Sequence, residues 1–499
     1  MAVAIMKDSS IVFATGLGYA DLSNHIKVTP NTTFRVASIT KTFASTIIMQ
    51  LVEEGKLNLD TYITAYGIDF GNPEITVRNL LTHTSEGDPG CFYQYNGYRF
   101  SFLQNVIEKT SGNLFYQLLM EKIIQPLQMS SSAPGISLFN YFYYQQERKD
   151  MVPFFKKAFT NLAKPYGLDG KGNIIETTYL DEFGTSGGLT TNVLDLMKYS
   201  AAIDKNRFVN RQTQREIFKP NKTKNGEATP YGLGWFTQTY RGTDFYWHYG
   251  QTQGESGLFV KVPSMHLTLA VLTNSVNLSS PFPLGDGDLF MSPVGQLFYK
   301  CIVNKDPALS DIHFSQPINE IKREIAKNFT EGYRDFYNKE IISEATIDNF
   351  KGDTAKAKQL YRLYSELNFV NLPAYKASPV VAEIKEAGVN QKVSKDFVLT
   401  NTTRLKVIGV GENCSPDLKS WCDYGWIEDN KGNVVWQMQS QQAVHAGGAK
   451  KNQKVENIIV LPPGTYQLKY KSDWAHAYNN WDSLPPDSFF WGITLSLII

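Results

Sequence analysis

Ser38 and Lys41 are the two residues whose types and spacing most clearly suggest covalent chemistry. Ser38 is the one serine that is followed three residues later by a lysine. At the start of a helix, this spacing puts the lysine on the same face as the serine, close to the positive end of the helix dipole. A desolvated lysine can accept the proton that a serine must lose to attack a carbonyl. Without further context, a serine N-cap followed by a surface lysine also explains the pair.

The surrounding sequence contains further motifs in a fixed order. They are Thr33-Phe-Arg-Val-Ala-Ser38-Ile-Thr-Lys41-Thr-Phe43, Leu57-Asn-Leu-Asp60, Ile75-Thr-Val-Arg-Asn-Leu-Leu-Thr-His83-Thr-Ser85, Gly184-Thr-Ser-Gly-Gly-Leu189, Tyr231-Gly-Leu-Gly-Trp235 and His248-Tyr-Gly250. In this order they resemble the serine β-lactamase and penicillin-binding-protein superfamily, and most closely its branch of class C β-lactamases, D-peptidases and esterases. The resemblance covers roughly residues 2–300.

The Tyr-x-Asn motif of that family is only partly present. An ungapped alignment back from the segment 107–112 places Tyr95 on the family's tyrosine, with Asn96 next and Gly97 at the asparagine position. A shift by two residues would select Tyr93 instead. We expect Tyr95 to be the family's tyrosine, with Asn96 and Gly97 beside the substrate. Because the asparagine helps to hold the substrate amide and the lysine, its loss disfavours β-lactam hydrolysis more than acyl-enzyme formation.

The third motif is His248-Tyr249-Gly250, the form seen among esterase and D-peptidase relatives in place of Lys-Thr-Gly. The resemblance implies that His248 donates to a substrate carboxylate or polarises the tyrosine, with a charge that depends on pH. It also places Tyr249 and Gly250 beside the substrate. The backbone N–H groups of Ser38 and Gln251 are expected to form the oxyanion hole. The alternative for this motif is a half-buried strand.

The chemistry implied by the resemblance is acyl transfer. Ser38 attacks the carbonyl, and Lys41 and Tyr95 share the proton as base and later return it to the leaving group. The expected substrate is a peptide, amide or ester with D-amino-acid or cell-wall character. The alternatives are a β-lactamase proper and a catalytically weak homologue with a binding role. No metal or organic cofactor is expected, and His83 is interpreted as structural.

The elements that must position these residues follow from the apolar pattern. Alternating segments at 2–6 and 11–15 predict a hairpin, and helical spacing from Ser38 to Gly55 predicts the nucleophile helix. Further helices are predicted at 77–81, at 103–109 and from about residue 192, and strands at 174–179, 235–240, 258–262 and 267–272. The predicted fold class is therefore α/β (α+β): an antiparallel sheet built from both ends of a domain and flanked by helices. The aromatic residues at 139–144 are interpreted as a lid or as the packing face of an insertion.

The pattern changes beyond residue 302. Charged amphipathic helices at 318–328 and 356–367 predict a helical connector over 303–376. Seven short alternating segments then predict an antiparallel β-sandwich over 377–499, at 397–400, 405–410, 425–428, 434–438, 458–460, 465–470 and 492–498. The aromatic group around Trp474, His476, Trp481 and Trp491 is expected to pack this sandwich, with a glycan- or peptide-binding surface as the alternative.

Charge and composition exclude other classes. The chain has 499 residues with 49 Lys+Arg and 48 Asp+Glu, a formal net charge of +1 that argues against a nucleic-acid partner. No apolar stretch approaches the roughly 18 residues of a membrane span.

Cys414 and Cys422 form a small disulfide or remain thiols. Family relatives act outside the cytoplasm, so a periplasmic or secreted protein whose leader is missing is expected; the oligomeric state stays open.

Overall fold

The computed structural model describes residues 1–136, 149–169, 173–180, 182–304, 309, 311–328, 333–369, 379–414, 420–478, 480–483, 485–486 and 490–497. The chain divides into two compact units, Met1–Val294 and Gly295–Ile499. The boundaries at 302 and 376 drawn from the sequence remain predictions. The aromatic residues at 139–144 lie outside the described residues.

The first unit is built on a six-stranded antiparallel sheet. Its strand order, β10-β11-β12-β13-β1-β2, joins the first two strands of the chain to four strands that come more than 200 residues later. The strands of this unit are β1 (Ala2–Lys7), β2 (Ser10–Gly16), β3 (Tyr19–Asp21), β4 (Ile26–Lys27), β5 (Phe34–Arg35), β6 (Ala133–Pro134), β7 (Tyr166–Leu168), β8 (Ile174–Glu176), β9 (Leu189–Thr191), β10 (Phe236–Tyr240), β11 (Thr243–Gln251), β12 (Ser256–Val262) and β13 (Leu267–Thr273). The predicted fold class is confirmed.

Helices cover this sheet, and the helix α1 (Thr40–Glu53) lies at the centre of the core. Every residue of α1 from Thr40 to Met49 is buried, the Phe43 and Tyr199 rings stack at 3.9 Å, and Gly55 with φ +69° ends the helix. The helices of this unit are α1 (Thr40–Glu53), α2 (Val77–Leu81), α3 (Gly97–Ser101), α4 (Leu103–Ser111), α5 (Phe115–Leu119), α6 (Val152–Thr160), α7 (Val193–Asp204) and α8 (Arg211–Phe218), and α9 (Pro293–Phe298) spans the division between units.

A small three-stranded sheet fixes the approach to α1. The two-residue strand β5 pairs with β9, which also pairs with β6, so that Phe34 faces Thr191 and Arg35 faces Thr190. The Val36 N–H continues the pairing by donating to the Leu189 carbonyl at 2.9 Å. This pairing places the loop 184–188 directly over the start of α1.

The second unit combines helices with two antiparallel sheets. Its strands have the orders β14-β22-β16-β20-β19 and β15-β21-β17-β18. The Tyr470 hydroxyl on one sheet donates to the Val410 carbonyl on the other at 2.7 Å, so the two sheets pack face to face as the predicted sandwich. The elements are α10 (Ile318–Asn328), α11 (Arg334–Phe350), α12 (Thr354–Phe369), β14 (Val380–Ile384), β15 (Lys392–Leu399), β16 (Thr403–Glu412), β17 (Tyr424–Asp429), β18 (Val434–Gln437), β19 (Ala443–His445), β20 (Asn452–Leu461), β21 (Gly464–Lys471) and β22 (Gly492–Leu497).

The structure resolves two alternatives that the sequence leaves open in this unit. Cys414 and Cys422 are joined by a disulfide, while Cys91 and Cys301 are free. Of the aromatic group, His476, Trp481 and Trp491 are fully buried, and only Trp474 projects into solvent, with 75% of its surface exposed. The group therefore packs the unit. Among the described residues, no helix has the length and apolar character needed to cross a membrane.

Candidate active site

Ser38 lies in a tight turn between β5 and α1. The turn Ala37–Ile39 is a single 3₁₀ turn, and Ala37 adopts a left-handed conformation with φ +44°. A non-glycine residue in this region stores strain of about 1–3 kcal/mol, which the surrounding core must offset. Between Thr32 and Met49, Ser38 is the one residue that is not buried. The strained turn thus presents a single polar side chain to solvent.

The Lys41 side chain is fully buried beneath Ser38. Its Nζ lies 2.9 Å from Ser38 Oγ and 2.8 Å from the Ser186 carbonyl oxygen, to which it donates. Desolvation by burial lowers the pKa of Lys41 from its usual value to about 7. At neutral pH a large fraction of Lys41 is therefore the free amine, which can accept the Ser38 proton.

The Tyr95 ring faces the side-chain nitrogen of Lys41. Lys41 Nζ lies 5.4 Å from the ring centroid of Tyr95 and 5.2 Å from that of Phe100. The buried Tyr95 hydroxyl makes no well-formed hydrogen bond with the described residues. Burial raises its pKa well above the usual value, against a smaller lowering by the nearby Ser38 hydroxyl. Tyr95 therefore stays a neutral phenol at physiological pH, and Lys41 is the group able to act as base.

Gly97 and Asn96 occupy different surroundings. A Cβ placed on Gly97 would lie 3.6 Å from Lys41 Nζ, so position 97 faces the lysine as an asparagine of the motif would. The Asn96 side chain instead caps α3, where its Oδ1 accepts from the Arg99 N–H at 2.9 Å, and its amide donates to Glu86. Asn96 is thus a structural cap, which leaves the expected contact with substrate unsupported.

Tyr93 and His83 support the Tyr95 segment from behind. The Tyr93 hydroxyl donates to the Gly285 carbonyl at 2.9 Å. His83 Nδ1 accepts from the Asn96 N–H at 3.1 Å, and the ring packs against Tyr95 with centroids 4.3 Å apart. His83 is fully buried, and burial holds its pKa well below the usual value. Its neutral ring fixes the backbone that carries Tyr95 and Gly97.

His248 is buried, and both of its ring nitrogens are engaged. Nδ1 lies 2.6 Å from the Tyr249 carbonyl oxygen, which can only accept, so Nδ1 carries the proton. Nε2, 2.9 Å from the Tyr231 hydroxyl, then accepts from it. Burial, aided by the Lys41 charge, lowers the His248 pKa to about 3. Donation from His248 to a substrate carboxylate needs a free N–H, and neither nitrogen has one; His248 is better described as a neutral support for Tyr231.

The end of β11 lies against the Ser38 turn. A Cβ on Gly250 would come 2.2 Å from the Val36 carbonyl oxygen, so this close approach requires glycine. Gln251 follows at the exposed end of the strand and lines the same cleft as Ser38. Tyr249 is half-buried, and burial together with the negative charge of Asp286 raises its pKa.

A cleft of about 830 Å³ opens beside Ser38. Its walls come from the small sheet and its loop on one side and from α4 on the other. Charged side chains on the lining are Arg35, Glu108 and Glu182. Its volume is that of a pocket for a small molecule or a short peptide segment.

The family model described as Beta-lactamase matches residues 1–286, more than half of the chain. The chain belongs to the Beta-lactamase family. It is 26% identical over 262 residues to the putative penicillin-binding protein PbpX of Bacillus subtilis (strain 168), covering 46% of this chain and 60% of that protein. It is 23% identical over 317 residues to the D-aminopeptidase of Gluconobacter oxydans (strain 621H), covering 55% and 56%. The chain thus spans less than two thirds of either relative.

Among solved structures, the Beta-lactamase domain resembles the octameric penicillin-binding protein homologue from Pyrococcus abyssi. The sequence identity is 27%, the TM-score is 0.47, and the match covers 55% of this chain and 69% of the other.

Two residues of this Beta-lactamase domain gained a role only from the structure. The Ser186 carbonyl accepts from Lys41, and the Tyr231 hydroxyl holds His248. Both residues lie within motifs that are visible in the sequence. Their residue types alone, however, do not predict that a backbone carbonyl accepts from Lys41 or that a buried phenol contacts His248. Candidate metal-ligating groups among the described residues lie in the second unit, at Glu412, Asp423 and Asp473 and around the disulfide.

Proposed function

We propose that this protein is a serine hydrolase that cleaves an amide or ester through an acyl-enzyme on Ser38. The observation that carries the proposal is the buried Lys41 amine, 2.9 Å from Ser38 Oγ and with a pKa of about 7. A lysine on the surface would remain protonated and could not take the serine proton. The proposal is supported by membership of a family whose relatives here include a D-aminopeptidase.

In the first half-reaction, Lys41 Nζ takes the proton from Ser38 Oγ as the oxygen attacks the carbonyl carbon. The oxyanion is stabilised by the backbone N–H groups of Ser38 and Gln251. When the tetrahedral intermediate collapses, the leaving group receives the proton from the Lys41 ammonium. A water molecule then attacks the acyl-enzyme, with Lys41 again as base, and Ser38 is restored.

Tyr95 takes part in this scheme as a neutral hydroxyl. Because its pKa is raised by burial, it does not supply a phenolate base. Its hydroxyl, which makes no well-formed hydrogen bond with the described residues, can pass the Lys41 proton to the leaving group, or donate to that group as charge develops. Lys41 and Tyr95 therefore have separate roles as base and relay.

The charges beside Tyr249 favour particular leaving groups. The neutral His248 offers no positive charge to a leaving-group carboxylate, and the Asp286 carboxylate adds to the effect of burial in raising the pKa of Tyr93 and Tyr249. A leaving amino acid with a free α-carboxylate would gain no ion pair with His248, whereas ammonia, an alcohol or an amine needs none. We therefore favour an amidase, aminopeptidase or esterase over a carboxypeptidase, with the D-amino-acid preference drawn from the relatives.

β-Lactam hydrolysis is the weaker candidate, because Gly97 leaves the substrate-amide position beside Lys41 without a side chain.

Action in the periplasm or outside the cell is supported by the Cys414–Cys422 disulfide, which is typical of oxidising compartments.

The proposal is tested with D-alanine p-nitroanilide, D-alanine methyl ester and D-alanyl-D-alanine, each compared with its L-form. We expect turnover of the first two and much slower release of D-alanine from the dipeptide. Ser38→Ala should abolish turnover at unchanged thermal stability. Preferred cleavage of the dipeptide would refute the leaving-group argument, and full activity of Ser38→Ala would refute the nucleophile. A catalytically weak binding protein would turn over none of them.

A further inference from the structure

The first unit contains a second cavity, of about 690 Å³, on the same strands as the candidate active site. Tyr246 on its floor precedes Gln251 by five residues along β11, which separates the two sites by roughly 17 Å at about 3.4 Å per residue. Neither Ser38 nor Lys41 lines it. What the cavity binds is therefore independent of the proposed hydrolase function.

The cavity floor is a row of side chains on three adjacent strands. Thr237 on β10 pairs directly with Tyr246 on β11, which pairs directly with Lys261 on β12. Directly paired residues project from the same face of a sheet, so these three side chains lie side by side.

One face of α8 forms the wall. Arg211, Gln214, Arg215 and Phe218 follow one another at helical spacing, and all four line the cavity. The Phe218 ring stacks on Tyr246 with centroids 4.2 Å apart and an interplanar angle of 5°, so an aromatic pair joins wall to floor.

The charges of the cavity are not balanced from within. Lys261 is neutralised by Asp204 at 2.8 Å, and Lys219 lies 3.6 Å from Glu216. Neither the Arg211 nor the Arg215 side chain, both exposed, has a hydrogen bond or ion pair with the residues that the structure describes. Like charges four residues apart on a helix are destabilising without a partner. The carboxylate of Asp244 also lines the cavity, where it accepts from the Thr239 hydroxyl at 2.6 Å, so the two guanidinium groups leave the lining with an excess of positive charge.

A buried hydroxyl at the floor also lacks a partner. Thr237 is only 6% exposed, and its Oγ1 makes no hydrogen bond with any described residue. An unsatisfied buried hydroxyl destabilises the fold, and a bound polar group that pairs with it would recover that loss.

We propose that this cavity binds an acidic saccharide, a sugar that carries a phosphate or carboxylate group. The two guanidinium groups provide paired donors for the anion. The half-buried Tyr246 ring, held in place by the buried Phe218, provides an apolar surface of the kind on which sugar rings pack, and the Thr237 hydroxyl can bond a sugar hydroxyl. A free inorganic anion would use only the first of these features.

Isothermal titration calorimetry on the full chain tests the proposal with glucose 6-phosphate, glucuronate, glucose and inorganic phosphate. Glucose 6-phosphate and glucuronate should bind at least tenfold more tightly than glucose or inorganic phosphate. Arg211→Ala/Arg215→Ala should weaken the binding of both acidic sugars at least tenfold, and Thr237→Val should weaken it severalfold. Arg207→Ala removes an exposed arginine outside the cavity and should leave binding within twofold of wild type.

Three results would overturn the proposal: no binding of either acidic sugar, inorganic phosphate binding as tightly as glucose 6-phosphate, or equal weakening by Arg207→Ala and the double variant. Labelling of Ser38 by a fluorophosphonate should be the same in all variants. Loss of sugar binding with intact labelling therefore separates failure of this site from failure of the proposed hydrolase.

Discussion

At the scale of single residues, the chemistry of the site depends on how burial sets the protonation states of three groups. Burial lowers the pKa of Lys41 to about 7 and of His248 to about 3, and it raises the pKa of Tyr95. Lys41 is then the one group of the three that changes charge near neutral pH. The Ser38 hydroxyl is its hydrogen-bond partner, so one proton equilibrium controls the nucleophile.

This equilibrium predicts the pH dependence of acylation. The free amine is the active form, so the rate should rise with pH through the Lys41 ionisation near 7 and fall about tenfold for each pH unit below it. His248 stays neutral throughout and should add no second ionisation between pH 5 and 8. Acylation rates from pH 5 to 9 test this, and a pH-independent rate would contradict Lys41 as the base.

Replacing Tyr95 by Phe distinguishes a proton relay at Tyr95 from the base at Lys41. Because the hydroxyl makes no well-formed hydrogen bond with the described residues, its removal should not destabilise the fold, and the acylation rate should fall about 10²-fold at most. The ionisation near pH 7 should remain. Tyr98→Phe, at a side chain 70% exposed, is the matched control. Disappearance of the ionisation in Tyr95→Phe would assign it to the tyrosine instead.

Gly97 allows the Lys41 pKa to be changed by design. The carboxylate of Gly97→Asp would lie near Nζ and favour the ammonium form, so the ionisation should move to a higher pH by about one unit or more. Gly97→Ala adds the same Cβ without the charge and should leave it near 7. An unchanged pH profile in Gly97→Asp would show that position 97 does not face the lysine.

At the scale of elements, short strands set the site geometry. The pairing of β5 with β9 brings the Ser186 carbonyl to Lys41, and β11 lies against the Ser38 turn through Gly250. The larger helices and strands provide the rigid frame on which these contacts depend.

Gly250→Ala tests the contact between β11 and the Ser38 turn. The added methyl group would collide with the Val36 carbonyl and push the strand end away, at a cost of about 1–3 kcal/mol. We expect a lower thermal midpoint and an acylation rate reduced at least tenfold. Wild-type stability together with the wild-type rate would show that the two elements are not in contact.

The sequence predicts elements well where periodicity or capping is strong. The hairpin of β1 and β2, α2, α4 and the strands of the sandwich all lie close to their predicted positions. The two-residue strands β5 and β6 are too short for a pattern, and β11 reads as a continuous aromatic run because both of its faces pack. Several elements are not predicted from the sequence: α3, α8, α9, α11, β3, β4, β7, β9, β14 and β19.

The residues of the candidate site are likewise predictable only where a local pattern in the sequence indicates them. Ser38 and Lys41 are recognisable because their three-residue spacing, which has a local meaning on a helix, stands within a series of motifs that resembles a known family. The engagement of His248 by Tyr231 and the capping role of Asn96 depend on neighbours distant in the sequence or on backbone geometry. Spacing along the chain contains no information about either.

At the scale of the whole molecule, the chain combines a Beta-lactamase unit with a second unit stabilised by a disulfide. The closed loop is short, with a sequence separation of 8, so the bond should contribute roughly 2–3 kcal/mol. Cys414→Ser/Cys422→Ser should lower the unfolding midpoint of the second unit, measured by calorimetry. Ser38 acylation should be unchanged, and its loss would show that the units depend on each other for activity. Cys301→Ser, at an exposed free thiol, is the control.

The proposed chemistry of the whole chain depends on Ser38 as a nucleophile that Lys41 activates. Its most direct test is mass spectrometry with peptide mapping after reaction with a fluorescent penicillin or a fluorophosphonate. We predict a single adduct on the peptide that contains Ser38, none in Ser38→Ala, and an adduct that forms at least a hundredfold more slowly in Lys41→Ala. An unmodified wild-type protein, or an adduct on any other residue, would contradict the claim.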